Sequence, residues 1–118
     1  MLKVTNNNIV LTRGDSGVFK LDVQDAEQQE YDFSGDTVVM TVKKSCTDKQ
    51  HILQKTFDES GQVVFSPEDT QDLPMGDYVY DVQLTHVEEA VDPAEDDVVT
   101  VDTIITPHTF TLGAEVTY

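Results

Sequence analysis

The stretch that decides the fold is "DLPMGDYVYDVQLT", residues 72 to 85. From Gly76 on it alternates with period two. Tyr78, Tyr80, Val82 and Leu84 fall on one face, and Val79, Asp81, Gln83 and Thr85 on the other. Such a pattern predicts a β-strand with one face covered and one facing water. The residues before it predict something different. In "SPEDTQDLP", Ser66 stands at an N-cap position, Pro67 at the first helical position, and acids fill the first turn. Pro74 stops the run. One short turn of helix is expected, from Pro67 to Asp72, feeding directly into the strand.

The same rhythm extends outward in both directions. "NIVLT" predicts a first strand, Ile9 to Thr12, ended by Gly14. "GVFKLDVQ" places Phe19, Leu21 and Val23 inward, and "DTVVMTVKK" does the same for Val38, Met40 and Val42. "DAEQQEYD" reads as a polar hairpin loop and "SCTDKQ" as another. "HILQKTF" is a strand whose inward face the pattern leaves open. "VVF" directs Val63 and Phe65 alike. "HVEEAVDPAEDD" is an acidic loop, "VVTVDTIIT" a β-branched strand, and Pro107 is expected to interrupt before "HTFTLG". Seven or eight short strands and one helical turn near 67–72 make an all-β chain, read as an antiparallel β-sandwich occupying residues 1–118 as a single domain. The expected core is Phe19, Leu21, Val23, Phe33, Val38, Met40, Val42, Phe65, Leu73, Tyr78, Tyr80, Val82, Leu84, Val101, Ile104 and Phe110.

A local motif refines the expectation. "DLPMGDYVY" places Gly76, Tyr78 and Tyr80 where immunoglobulin-like sandwiches carry Gly, Tyr and Cys at the entrance to one strand. The corner tyrosine there bonds back to nearby backbone. Tyr80 takes the cysteine's place. With no partner cysteine and no Trp in the chain, the resemblance is to immunoglobulin-like sandwiches and not to antibody domains.

Charge narrows the function classes. The chain of 118 residues has 23 acids against 7 bases, a net charge of −16. Such a field repels phosphate backbones and anionic membrane surfaces, so neither nucleic acid nor membrane is expected as a partner. It attracts cations and basic protein surfaces. Cys46 is the single cysteine, which makes no internal disulfide and no zinc cluster; it reads as an inert loop or strand-end thiol. "MLKVTNNNIV" carries no apolar run of a signal peptide, so the expected place of folding is a reducing compartment.

No catalytic or metal-binding constellation emerges, and no cofactor is expected. His51, His86 and His108 lack ligand spacing. Glu88, Glu89, Asp92, Glu95, Asp96 and Asp97 offer oxygen ligands without the spacing of a calcium loop, and they read as a solvated surface. Lys43 and Lys44 are the only adjacent basic pair. Arg13-Gly14-Asp15-Ser16 matches a short integrin-binding motif. A turn accounts for every one of its residues: Gly14 and Gly17 supply positive φ, and Asp15 and Ser16 bond to local backbone.

Taken together, "IVLTRGDSGVFKLDV", "YDFSGDTVVMTVKK", "VVFSPEDTQDLPMGDYVYDVQLT" and "VDTIITPHTFTLGAEVT" resemble small immunoglobulin-like virion proteins of tailed phages and prophages of Gram-positive hosts. Among these are the N-terminal domain of baseplate upper proteins and head-fibre proteins. The resemblance implies a noncatalytic virion structural or decoration protein of head, neck or baseplate. It would be made in the bacterial cytoplasm, built into the virion, and act by docking to other phage structural proteins or as a homo-oligomer. Edge strands or the C-terminal "GAEVTY" would pair with a neighbouring chain. The long acidic loop, 86 to 97, departs from the family's short hairpin. The alternative is a host-surface module binding carbohydrate or protein, which calls for exposed aromatics, with Tyr31 and Tyr118 as candidates. A small hydrolase is the third reading.

Overall fold

The computed structural model describes residues 2–23 and 35–114. The chain opens with a hairpin of β1 (Leu2–Thr5) and β2 (Asn8–Thr12). Asn6 and Asn7 between them have φ of 50° and 66°. Two left-handed residues in succession make the turn that matches right-twisted strands, and asparagine tolerates that conformation. β1 is a strand the hydrophobic rhythm did not predict, because Lys3, Val4 and Thr5 are exposed and only Leu2 turns partly inward.

The remaining elements are β3 (Gly17–Lys20), β4 (Asp36–Lys43), β5 (Leu53–Thr56), β6 (Gln62–Phe65), α1 (Pro67–Thr70), β7 (Gly76–Glu88) and β8 (Val98–Gly113). Six strands form one sheet in the order β1-β2-β8-β7-β4-β5, and β3 and β6 form a second. The chain is all-β, as expected, with eight described strands, but the expectation of a wholly antiparallel arrangement is corrected. β2 runs parallel to β8, Ile9 opposite Phe110 and Thr12 opposite Gly113. This direction delivers Thr12 to the end of the sheet where α1 lies, and there the chain crosses to β3.

That crossing is the Arg13–Ser16 turn. Gly14 has a φ of 81°, and the Asp15 amide donates to the Thr12 carbonyl at 3.0 Å. Gly17 is needed for a different reason than positive φ. A Cβ there would lie 2.8 Å from Leu2 Cβ, so β1 and β3 approach more closely than any side chain allows. The turn joins strands of different sheets, not a hairpin pair.

The helical turn is shorter than predicted and ends at Thr70 instead of Asp72. Pro74 disfavours helical backbone at Leu73, and the Leu73 amide closes instead on the Thr70 carbonyl at 3.0 Å. At its start the Ser66 amide donates to Asp69 Oδ2 at 2.8 Å, and Lys55 Nζ donates to the same oxygen at 2.8 Å. Burial pushes the Asp69 carboxyl up. The Lys55 and Ser66 hydrogen bonds and the Lys55 charge outweigh it, leaving the group below its ordinary value.

Strand β8 continues through Pro107, where an interruption was expected. The β7–β8 register shifts between Tyr80 and Val82, and Pro107 lies at this irregularity. A residue without an N–H is tolerated where the ladder is already broken. The shift also explains why Ile105 is buried and Ile104 only partly so.

The core lies between the two sheets. From the larger come Ile9, Leu11, Val38, Met40, Val42, Tyr78, Tyr80, Val82, Leu84, Ile105, Phe110 and Leu112. Phe19, Val63 and Phe65 come from the smaller, and Leu21 and Phe57 follow β3 and β5. Burying each such side chain stabilises by about 1.5–3 kcal/mol. Tyr80 and Phe110 sit with ring centroids 6.5 Å apart, and Phe65 meets Phe110 at 5.7 Å. Phe19 stands edge-on to Tyr80 at 6.3 Å and to Phe57 at 6.0 Å. Burial pushes the Tyr80 hydroxyl up to about 12, and the group donates to the Asn7 carbonyl. Leu73, Val23 and Ile104 are only partly buried, and Val101, expected inside, is exposed. Phe33 and the 25–32 loop lie outside the described residues.

Candidate docking surface

Strand β7 is paired with β4 from Lys43↔Val79 to Asp36↔His86. Beyond His86 the ladder continues with β8 alone, among the described residues, as Val87↔Val99 and Glu88↔Val98. The strand therefore runs through His86, Val87 and Glu88, which had been expected in the acidic loop. Among the described residues the result is a two-stranded arm projecting from the body, and the molecule measures 58 × 32 × 22 Å. His86 Nδ1 meets Asp36 Oδ1 at 2.5 Å, tying the start of β4 to the base of the arm.

The arm is chemically unlike the body. Every residue from Val91 to Thr103 is exposed. Opposed residues in an antiparallel pair share a face, so Val87, Val99 and Val101 lie together on the outer face, at 45%, 59% and 55% exposure. Val98, at 58%, lies on the other face. Between His86 and Asp102 stand seven carboxylates (Glu88, Glu89, Asp92, Glu95, Asp96, Asp97 and Asp102) and no Lys or Arg. The imbalance extends further, since all 7 bases lie at or before Lys55.

Two of these carboxylates hold the loop itself. Asp92 Oδ1 accepts from the Ala94 amide at 2.9 Å, and Asp97 Oδ1 accepts from the Ala90 amide at 2.9 Å. The Glu95 amide closes on the Asp92 carbonyl at 2.9 Å. Among the described residues no three His, Cys, Asp or Glu side chains gather as a metal ion would need.

The side of β8 away from β7 is occupied over part of its length. β2 fills it from Phe110 to Gly113. Asn8 Oδ1 then accepts the Thr109 amide at 3.1 Å. From Val98 to His108 no strand among the described residues lies on that side. Where this edge meets the gap between the sheets, Val4, Val18, Val23 and Ile104 line a groove of about 310 Å³.

The other predicted candidates are scattered. Cys46 and His51 line one cleft of about 330 Å³ on the outer face of the large sheet, with Lys43, Lys49 and Asp81. Their spacing in sequence did not suggest this; the loop between β4 and β5 brings them together. Cys46 is exposed. His86 belongs to the arm, and His108 Nδ1 lies 2.5 Å from the Thr106 carbonyl. Arg13 Nη1 donates to the Leu73 carbonyl at 3.2 Å, and the Gly14 amide to Thr70 Oγ1 at 2.8 Å, so the Arg-Gly-Asp segment braces the α1 corner. Tyr31 and Tyr118 lie outside the described residues.

Compared with family models, curated proteins and solved structures, the chain matches none.

Proposed function

We propose that this chain is a noncatalytic structural or decoration protein of a phage or prophage virion, in head, neck or baseplate, and that it works by docking to other virion proteins. The observation that carries the docking role is the arm, which holds exposed valines on a paired ribbon outside the core. A surface apolar group of this kind, rimmed by charge, marks an interaction site. The virion assignment itself rests on the sequence resemblance set out above. In this reading the chain folds in the host cytoplasm, is built into the particle there, and needs no cofactor or catalytic group.

The finer description, an immunoglobulin-like sandwich, is supported at the corner. Tyr78 Oη donates to the Pro74 carbonyl four residues upstream at 2.6 Å. Gly76, with φ 142°, takes the place of the corner glycine. This is the arrangement of a tyrosine corner, which Tyr78 was expected to make. The carbohydrate-binding alternative draws no support from the described aromatics, since Phe19, Phe57, Phe65, Tyr78, Tyr80 and Phe110 are all buried.

Mass spectrometry of particles purified from an induced host tests the reading. The protein is expected among the virion components. A Val87→Lys/Val99→Lys/Val101→Lys variant is expected to fold normally and be absent from particles. Particles that lack the wild-type protein would refute the virion role; equal incorporation of the variant would refute docking through the arm.

A further inference from the structure

We infer that a second copy of this chain docks on the outer face of the larger sheet. The two copies lie face to face about a two-fold axis, the tip of each arm over the Lys43–Lys49–His51 cleft of the other. The inference rests on the docking role of the arm proposed above and names a second copy as the partner it meets.

The face itself is the first observation. By the observed pairing, one side of all six strands points away from the core, and none of its residues is buried. Its charged side chains are Lys3, Lys43, Asp77 and Asp81, two of each sign, in a chain of net charge −16. Threonine and valine fill most of the other positions. Polar groups along it already bond to one another. Thr111 Oγ1 donates to Asp77 Oδ1 at 2.8 Å, and Gln54 Nε2 to Thr41 Oγ1 at 3.1 Å. Two such faces meet without pressing like charges together or leaving these polar groups unpaired.

The second observation is that the ends of this face are opposite in charge. At the end where Lys43 pairs with Val79, Lys43, Lys49 and His51 line the cleft of about 330 Å³, against the single carboxylate of Asp81. Lys49 and His51 are exposed. Four of the chain's bases lie from Lys43 to Lys55, with Asp48 the one acid among them. At the other end stands the arm, whose tip carries Glu89, Asp92, Glu95, Asp96 and Asp97 and no base. Val79, Asp81 and Gln83 of the cleft and Val87 of the arm are alternate residues of β7, so both ends face the same way.

This placement selects the occupant. The cleft suits an acidic partner and the tip a basic one, and a second copy supplies both. Thr85 stands six residues from Val79 and seven from Asp92, about 20 Å from each along an extended strand. A two-fold axis through the face near Thr85 therefore sets each tip over the other copy's cleft. Val87 and Val101, neighbours of Thr85 in the sheet, are covered near the axis. The two contacts are identical and close on themselves, as an isologous dimer requires. Salt screens the net charge of each copy within about 10 Å, whereas the tip–cleft contacts are direct.

The test is the oligomeric state of the full chain by sedimentation velocity, with the fold of each variant checked by circular dichroism. The wild type is expected to dimerise at about 0.1 M salt and to bind itself about tenfold or more weakly at about 1 M, where screening acts within about 3 Å. Lys43→Glu/Lys49→Glu reverses the cleft, and Glu95→Lys/Asp96→Lys reverses the tip. Asp92 and Asp97 are kept because they hold the loop. Each variant alone is expected to be monomeric. Mixed in equal amounts they are expected to pair with each other, since the reversed cleft then meets the reversed tip and the native cleft the native tip. A monomeric wild type, a variant that dimerises alone as the wild type does, or a mixture that stays monomeric would overturn the inference. Species that grow beyond the dimer with concentration would overturn its two-fold arrangement. A monomeric wild type found in particles would remove the pairing and leave the virion role. A dimer absent from particles would remove the virion role and leave the pairing.

Discussion

Within β7 the two ends behave oppositely. From Tyr78 to Leu84 alternate residues are buried between two sheets; from His86 to Glu88 every residue is exposed. Pairing with β8 is continuous across both. The difference comes from what lies over the strand. The first part has the β3–β6 sheet above it and β4 beside it, whereas Val87 and Glu88 have, among the described residues, only β8. Backbone pairing alone makes a ribbon, and a two-stranded ribbon is marginal by itself. The body must therefore supply the stability, and the arm is left available for contact.

Substitutions can break this contrast where it is strongest. Phe65 is fully buried against Phe110, with Lys55 Nζ 5.8 Å from its ring centre. Phe65→Ala is expected to destabilise by about 3–5 kcal/mol, read as a lower urea midpoint. Gly17→Ala forces Leu2 and β1 away from β3 and is expected to cost about 1–3 kcal/mol by the same measurement.

Tyr80→Phe leaves the Asn7 carbonyl without its donor and is expected to cost about 1–2 kcal/mol. The pH dependence gives a second readout. Folding holds the Tyr80 proton up to about 12, while in the unfolded chain it leaves near the ordinary value of about 10. Stability from this group is thus full below about pH 10 and is lost as pH rises toward 12. Urea titrations at pH 9 and 11 should show a smaller loss in Tyr80→Phe than in the wild type. Asp69 has the opposite sign. Its lowered value contributes stability above about pH 4 that disappears as pH falls through the folded value. Asp69→Ala is expected to cost about 1 kcal/mol at pH 7 and to show less acid sensitivity. At the far end of the scale, Val99→Lys on the arm is expected to shift stability by no more than about 0.5 kcal/mol. A larger loss would mean that the arm belongs to the cooperative body.

The strands of the body were legible because a residue period of two needs a dry face on one side only, and Val38, Met40, Val42, Tyr78, Tyr80, Val82 and Leu84 satisfy it without exception. The arm was not legible from the same signal. "VVTV" at residues 98 to 101 carries as many β-branched residues as a core strand, so Val101 was read as buried. Burial depends on whether a second sheet reaches that far, and β3 and β6 are only four residues each. β1 was missed although "NN" at residues 6 and 7 is a hairpin signal, since a strand with little buried surface leaves no rhythm. The parallel β2–β8 pair was equally hidden, because local pattern says nothing about which distant strands become neighbours. Of the docking surface, the acidity of the loop was plain in the sequence, but the extension of β7 and β8 into the arm became visible only with the strand pairing.

The parallel β2–β8 pair bears on how the protein is made. Ile9 finds its neighbour only when Phe110 has been synthesised, so the β1–β2 hairpin waits until all the intervening strands have been made. Closure of so long a loop is a slow, late event. On the ribosome β1 and β2 must stay soluble without their partner, and the sheet locks only once β8 has left the exit tunnel.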